Sequence, residues 1–273
     1  MQNPSHAKPN DQKYLLALAR HHINITAMES RLRLDILPQP DDTTCGPTCL
    51  HAVYRYFGNP IPLEQVISQV TKLSEGGTLA VLLGCDALRR GFRATIYTYN
   101  LQVFDPTWFG NQVLLSDKLT AQAAVKKDAK LTVATRGYLD FLDKGGEISF
   151  QDLTPKLIRY YLKRSIPILT GLSATYLYRS ARECMPNSKE DDVAGFPAGH
   201  FVVLCGYDMQ ERQVRIADPY LPNPMAAKKY YGVAMDRLIC SIMLGILTYD
   251  ANLLVIEPAR SLKGRRDGIS GHR

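Results

Sequence analysis

Apolar residues recur at helical spacing over Cys49, Leu50, Val53, Tyr54 and Phe57, and Gly58 follows as a C-terminal cap. This spacing predicts a helix that opens at Cys45. Thr43 and Thr44 suit its N-cap, and Pro47 suits the first turn, where a missing N–H leaves nothing unpaired. Before it, residues 31–37 alternate as a strand that leads to Gln39. Helical periodicity returns over 10–20, 63–73, 79–90, 119–130, 132–144, 152–163 and 233–247. The loop Gly76-Gly77-Thr78 offers an N-cap to the 79–90 helix, and Gly145-Gly146 ends the 132–144 one. Strand patterns cover 93–99, 166–172, 199–207, 214–218 and 252–256. Pro167 argues that its strand is an edge, or that Pro167 takes the first pairing position.

Composition makes this an ordinary soluble chain. At 273 residues, 45% hydrophobic and 22% charged, it fits one large domain or a domain with insertions. We divide it into an N-terminal arm (1–30), a main domain (31–258) with an insertion near 100–150, and a flexible basic tail (259–273). The net charge of +7 suits an acidic substrate, an anionic surface or nucleic acid. No nucleic-acid motif and no basic stripe interleaved with aromatics occurs, which argues against nucleic acid. The longest apolar run, 238–247, is too short to span a bilayer, and residues 1–29 lack a secretory pattern. A cytoplasmic, bacterial-type enzyme is expected.

The six cysteines (45, 49, 85, 184, 205 and 240) form no Cys-x2-Cys pair and no metal-ligand spacing with histidine. Free thiols are therefore expected, with no metal and no cofactor. Cys45 stands apart because a helix start favours thiolate over thiol, as a nucleophile requires. Gln39, six residues earlier, can bring an amide beside that thiolate to donate to an oxyanion. His200 opens one strand and Asp218 ends the next, so antiparallel pairing sets a base beside its orienting acid. His51 lies six residues past Cys45 on the helix and points elsewhere; His21, His22, His6 and His272 have no suitable partners. Each candidate also has a plainer reading: Cys45 or His200 as core, Asp218 as a turn residue before Pro219, Gln39 as loop. Cys49 reads as a small core residue under Cys45, or else as a redox partner. Trp108, the single tryptophan, reads as a packing anchor or a cleft wall. The polar stretch 182–199 reads as a flap over the site or a surface excursion.

The set Gln39-x5-Cys45-Gly46-Pro47-Thr48-Cys49-Leu50, then Gly199-His200-Phe201-Val202-Val203-Leu204, then Ala217-Asp218-Pro219, resembles the papain-like cysteine peptidases of family thirty-nine. Those are related to the domains that cut bacteriocin leader peptides. The resemblance is dense over roughly 35–100 and 155–220. It implies an α+β papain-like fold, with a helical half carrying the nucleophile and an antiparallel sheet half carrying the histidine and the aspartate. It also implies Cys45 as nucleophile, His200 as base, Asp218 as orienting acid and Gln39 as oxyanion residue. A stand-alone peptidase of peptide or isopeptide bonds is the leading expectation, acting on a peptide or protein that the charge suggests is acidic. The same site could pass the acyl group to an amine, or the fold could serve as a non-catalytic peptide-binding module.

Overall fold

The structure is a computed structural model that describes residues 30–259 apart from 75, 111–113 and 185–187. Save for Ser30 and Ala259, the expected N-terminal arm with its helical stretch and the basic tail lie outside the described residues.

In chain order the elements are β1 (Ser30–Arg31), α1 (Cys45–Tyr56), α2 (Leu63–Gln69), α3 (Ala80–Arg89) and β2 (Phe92–Thr98). A 3-10 turn (Pro106–Phe109), α4 (Leu115–Val125), α5 (Ala129–Asp143), β3 (Glu147–Ser149) and α6 (Pro155–Lys163) follow. Then come β4 (Ile168–Ser173), α7 (Ala174–Tyr178), β5 (Glu183–Cys184), β6 (Lys189–Glu190), β7 (Gly199–Asp208) and β8 (Gln213–Ala217). The last are β9 (Tyr230–Ala234), α8 (Met235–Leu244), a 3-10 turn (Gly245–Thr248) and β10 (Asn252–Pro258).

One sheet runs β3-β2-β10-β4-β7-β8-β9, with β1 also paired to β7. All its pairs are antiparallel except β2 with β3. Helices cover both faces. On β7, Phe201, Val203 and Cys205 enter one core with α1, α3 and α5, whereas Val202 and Leu204 enter a second core with α6 and α8. Burial on both faces explains why 201–207 reads as an unbroken apolar run.

Several expectations change. β4 is central, between β10 and β7, not an edge. Pro167 is tolerated because it precedes the first paired residue, Ile168, so no ladder N–H is lost. The 31–37 strand shortens to Ser30–Arg31, with one further bond from Leu32 N to Cys205 O. Thr78 does not cap α3: its Oγ1 donates to Thr71 O at 2.9 Å, and Leu79 takes the N-cap position. Residues 230–234, expected as loop and helix, form β9 against β8. The 100–150 segment packs into the first core through Phe104, Leu119, Leu131, Tyr138 and Phe141. Trp108 rests partly buried against that core.

Candidate active site

Three strand ends lie near one place on the rim of the sheet. There β7 begins at Gly199, β8 ends at Ala217 and β4 ends at Ser173. Ladder pairing of Val203 with Ala217 puts Asp218 beside the first residues of β7. His200 Nε2 donates to Asp218 Oδ1 at 2.9 Å, and both side chains are buried.

Asp218 is held on all sides. Its Oδ1 also accepts Tyr220 N at 2.9 Å. Its Oδ2 accepts the hydroxyls of Tyr178 at 2.7 Å and Tyr231 at 2.5 Å. Burial alone would raise its pKa, but the His200 charge and the donors on both oxygens outweigh that and lower it. The two tyrosines escape a sequence reading, because Tyr178 and Tyr231 sit on α7 and β9, elements that only the fold brings to the aspartate. The rings of Tyr178 and Tyr220 flank the imidazole, with centroids 6.0 and 6.1 Å away.

Cys45 is the first residue of α1. The helix is anchored there by small residues. Gly46 lies so close to β7 that an added Cβ would meet Thr78 Cγ2 at 2.7 Å and Phe201 Cδ2 at 3.2 Å. Thr44 holds the N-cap position, but its hydroxyl donates to Asp41 O at 3.0 Å and accepts Asp41 N at 3.3 Å, so no side chain caps the helix. The first-turn N–H groups therefore have no cap competing for them. Cys45 lies beside His200, near enough to act on the charge of the ring. Asp218 engages Nε2, which leaves Nδ1 as the second ring nitrogen. Burial works against the charged ring, yet the Asp218 charge and hydrogen bond, with Cys45 adding to them, raise the His200 pKa to about 10.

Gln39 belongs to the same rim. Its backbone N–H donates to Pro219 O at 2.9 Å, one residue beyond Asp218. Its Nε2 donates to Asp41 O at 2.9 Å, and its Oε1 is buried without a partner among the described residues. The turn is stiffened by Asp41, whose Oδ1 accepts both Thr43 N and Thr43 Oγ1.

The other candidates fall elsewhere. Cys49 is fully buried and donates to Phe201 O at 3.2 Å, and burial pushes its thiol pKa well up, as suits a packing residue. His51 is buried on the far side of α1, where desolvation lowers its pKa. The 182–199 stretch carries the short β5–β6 pair and a β-bridge from Glu183 to Phe196. Burial raises the Glu183 pKa first, with Asp42 adding to the rise and His200 opposing it, so this loop approaches the Cys45–His200 rim. Among the described residues no cluster of His, Cys, Asp or Glu could hold a metal ion. No described helix is long and apolar enough to cross a membrane.

A search among curated proteins returns no match. Among solved structures, the chain resembles a double glycine motif protease from an AMS/PCAT transporter, in complex with the leader peptide. Identity is 16%, coverage is 85% of this chain and 97% of that one, and the TM-score is 0.41. The peptidase domain of Streptococcus ComA, a bi-functional ABC transporter, matches at 13% identity, with 83% and 100% coverage and a TM-score of 0.38. Xylellain, a cysteine protease from Xylella fastidiosa, matches at 14% identity, with 85% and 86% coverage and a TM-score of 0.41. TM-scores this low decide nothing by themselves. The profile of the Peptidase_C39 like family, however, matches residues 31–235, most of the chain. The chain therefore belongs to the Peptidase_C39 like family.

Proposed function

We propose that this protein is a cysteine peptidase that hydrolyses peptide or isopeptide amide bonds, with Cys45 as nucleophile, His200 as acid and base, Asp218 as orienting acid and Gln39 in the oxyanion hole. The observation that carries the reading is the buried His200–Asp218 hydrogen bond on the rim beside Cys45, which opens a helix. The Cys45 thiolate attacks the amide carbonyl carbon, and the carbonyl electron pair moves to oxygen. The Cys45 backbone N–H and the Gln39 amide stabilise that oxyanion. The C–N bond breaks as His200 gives its proton to the leaving amine. A thioester remains. His200 then takes a proton from water, the hydroxide attacks the thioester carbon, and the C–S bond breaks to release a carboxylic acid and the thiolate. Asp218 holds the ring throughout and stays ionised, because its donors favour the charge.

The substrate side follows from charge: the surplus of cations favours acidic peptides. Intact-mass alkylation with iodoacetamide tests the site. In the wild type Cys45 reacts fast below neutral pH, and in His200→Ala it does not. Amide cleavage that survives Cys45→Ala would sink the proposal.

A further inference from the structure

A cavity of about 520 Å³ opens between α7, α8, Arg182 and Pro197. Three guanidiniums line it, those of Arg179, Arg182 and Arg237, alongside the apolar walls of Tyr176, Leu244 and Leu247. Asp236 is the one carboxylate in that lining among the described residues. None of the three arginines makes an ion pair with a described residue. Arg182 is held by the carbonyls of Asp192 and Val193, and Arg237 by that of Leu177. The Arg237 Nε is buried and finds no acceptor among the described residues. Tyr176, Leu244 and Leu247 remain 42%, 37% and 57% exposed, so the walls leave apolar surface in water beside unpaired positive charge.

This cavity adjoins the His200 rim on two sides. Ser173 lines it and pairs with Gly199, the residue before His200. Ser173 and His200 are diagonal neighbours across one ladder, roughly 6 Å apart at Cα, which about two extended residues span. Arg182 precedes Glu183, which lies near enough to Asp42 and His200 to feel both charges. The α7 helix also serves both places, since Tyr178 holds Asp218 while Thr175, Tyr176 and Arg179 line the cavity.

We propose that this cavity docks an acidic, partly apolar segment of the peptide substrate, remote from the bond that is cut. Guanidiniums pair carboxylates in bidentate fashion, and the segment's apolar side chains cover Tyr176, Leu244 and Leu247. A small inorganic anion would meet the arginines and leave those walls in water. The assignment rests on the reading that the chain acts on peptides.

Cys240 makes the site measurable, because it is exposed and lines the cavity. N-ethylmaleimide labelling of the full chain, resolved by peptide mapping, follows Cys240 separately from Cys45 and Cys184. The probe is a short peptide of alternating Glu and Leu, with Gln–Leu and Lys–Leu counterparts. The Glu–Leu peptide should protect Cys240, and the counterparts should not. Arg179→Glu and Leu247→Asp should each weaken its binding by about tenfold, the loss of one charge-assisted or apolar anchor. Cys45 alkylation without peptide should be unchanged in both variants. Protection by the Lys–Leu peptide, protection by inorganic phosphate alone, or unaltered binding in both variants would overturn the docking site. If Cys45 reacts fast but Cys240 is never protected, docking fails and the peptidase stands. Arg179-dependent protection beside an unreactive Cys45 supports docking and sinks the peptidase.

Discussion

Asp218 is a carboxylate with no exposure, and it keeps its charge because each oxygen is met by two donors. Removing one donor exposes what burial would otherwise do. Tyr231→Phe should lower stability by about 1.5–3 kcal/mol in urea titrations, the worth of a hydrogen bond to a charged group. Because the Asp218 pKa is lowered on folding, that loss is present above its unfolded value of 3.8 and fades as acid protonates the carboxylate. His200 has the opposite sign. Its folded pKa of about 10 exceeds 6.5, so folding binds an extra proton between those values. Its stabilisation is complete below pH 6.5 and is lost as the pH rises through about 10; His200→Gln should flatten that fall in thermal unfolding across pH. Asp250 is another buried carboxyl. Burial pushes its pKa up to about 7 from 3.8, and its Oδ1 has no partner among the described residues. The folded chain then holds the extra proton between 3.8 and 7, so stability falls as pH rises across that window. Asp250→Asn should remove this acid-side slope and leave the alkaline one, read in the same unfolding series.

At the scale of the element, α1 matters through its first turn. Gly46 permits the helix to lie against Phe201 and Thr78, and a side chain there has no room. Gly46→Ala should cost about 1–3 kcal/mol by overpacking and slow Cys45 alkylation more than a remote change of equal cost. Helical spacing makes this helix legible from the sequence, with Cys45 at its start and Gly58 in the left-handed region after it. The strands of His200 and Asp218 are equally legible, because both are apolar runs bounded by turn residues. The strand 230–234 is not, since Tyr-Tyr-Gly-Val-Ala runs without a break into the apolar face of α8. Nor is the placement of β4: Pro167 fits either an edge or the first pairing position, and only the ladder, which begins at Ile168, puts the strand in the centre.

For the whole molecule, the sheet with helices on both faces gathers parts that lie far apart in the chain. Cys45 comes from the first core's α1, whereas His200 and Asp218 come from β7 and the end of β8. Tyr178 and Tyr231 arrive from α7 and β9, and Gln39 is tied to the rim by Pro219 O. The 100–150 segment, read in the sequence as an insertion, shares the first core and adds β3 to the sheet. The sequence by itself determined what is local: a cysteine at a helix start, a histidine opening one strand, an aspartate closing the next, and the family those motifs mark. Periodicity and capping act within a few residues, so the residues alone carry them. Tertiary structure decided which strand is central, which tyrosines fix the aspartate, and where three arginines line a cavity. Those outcomes depend on ladder register and on packing between segments distant in the chain, which no local pattern encodes.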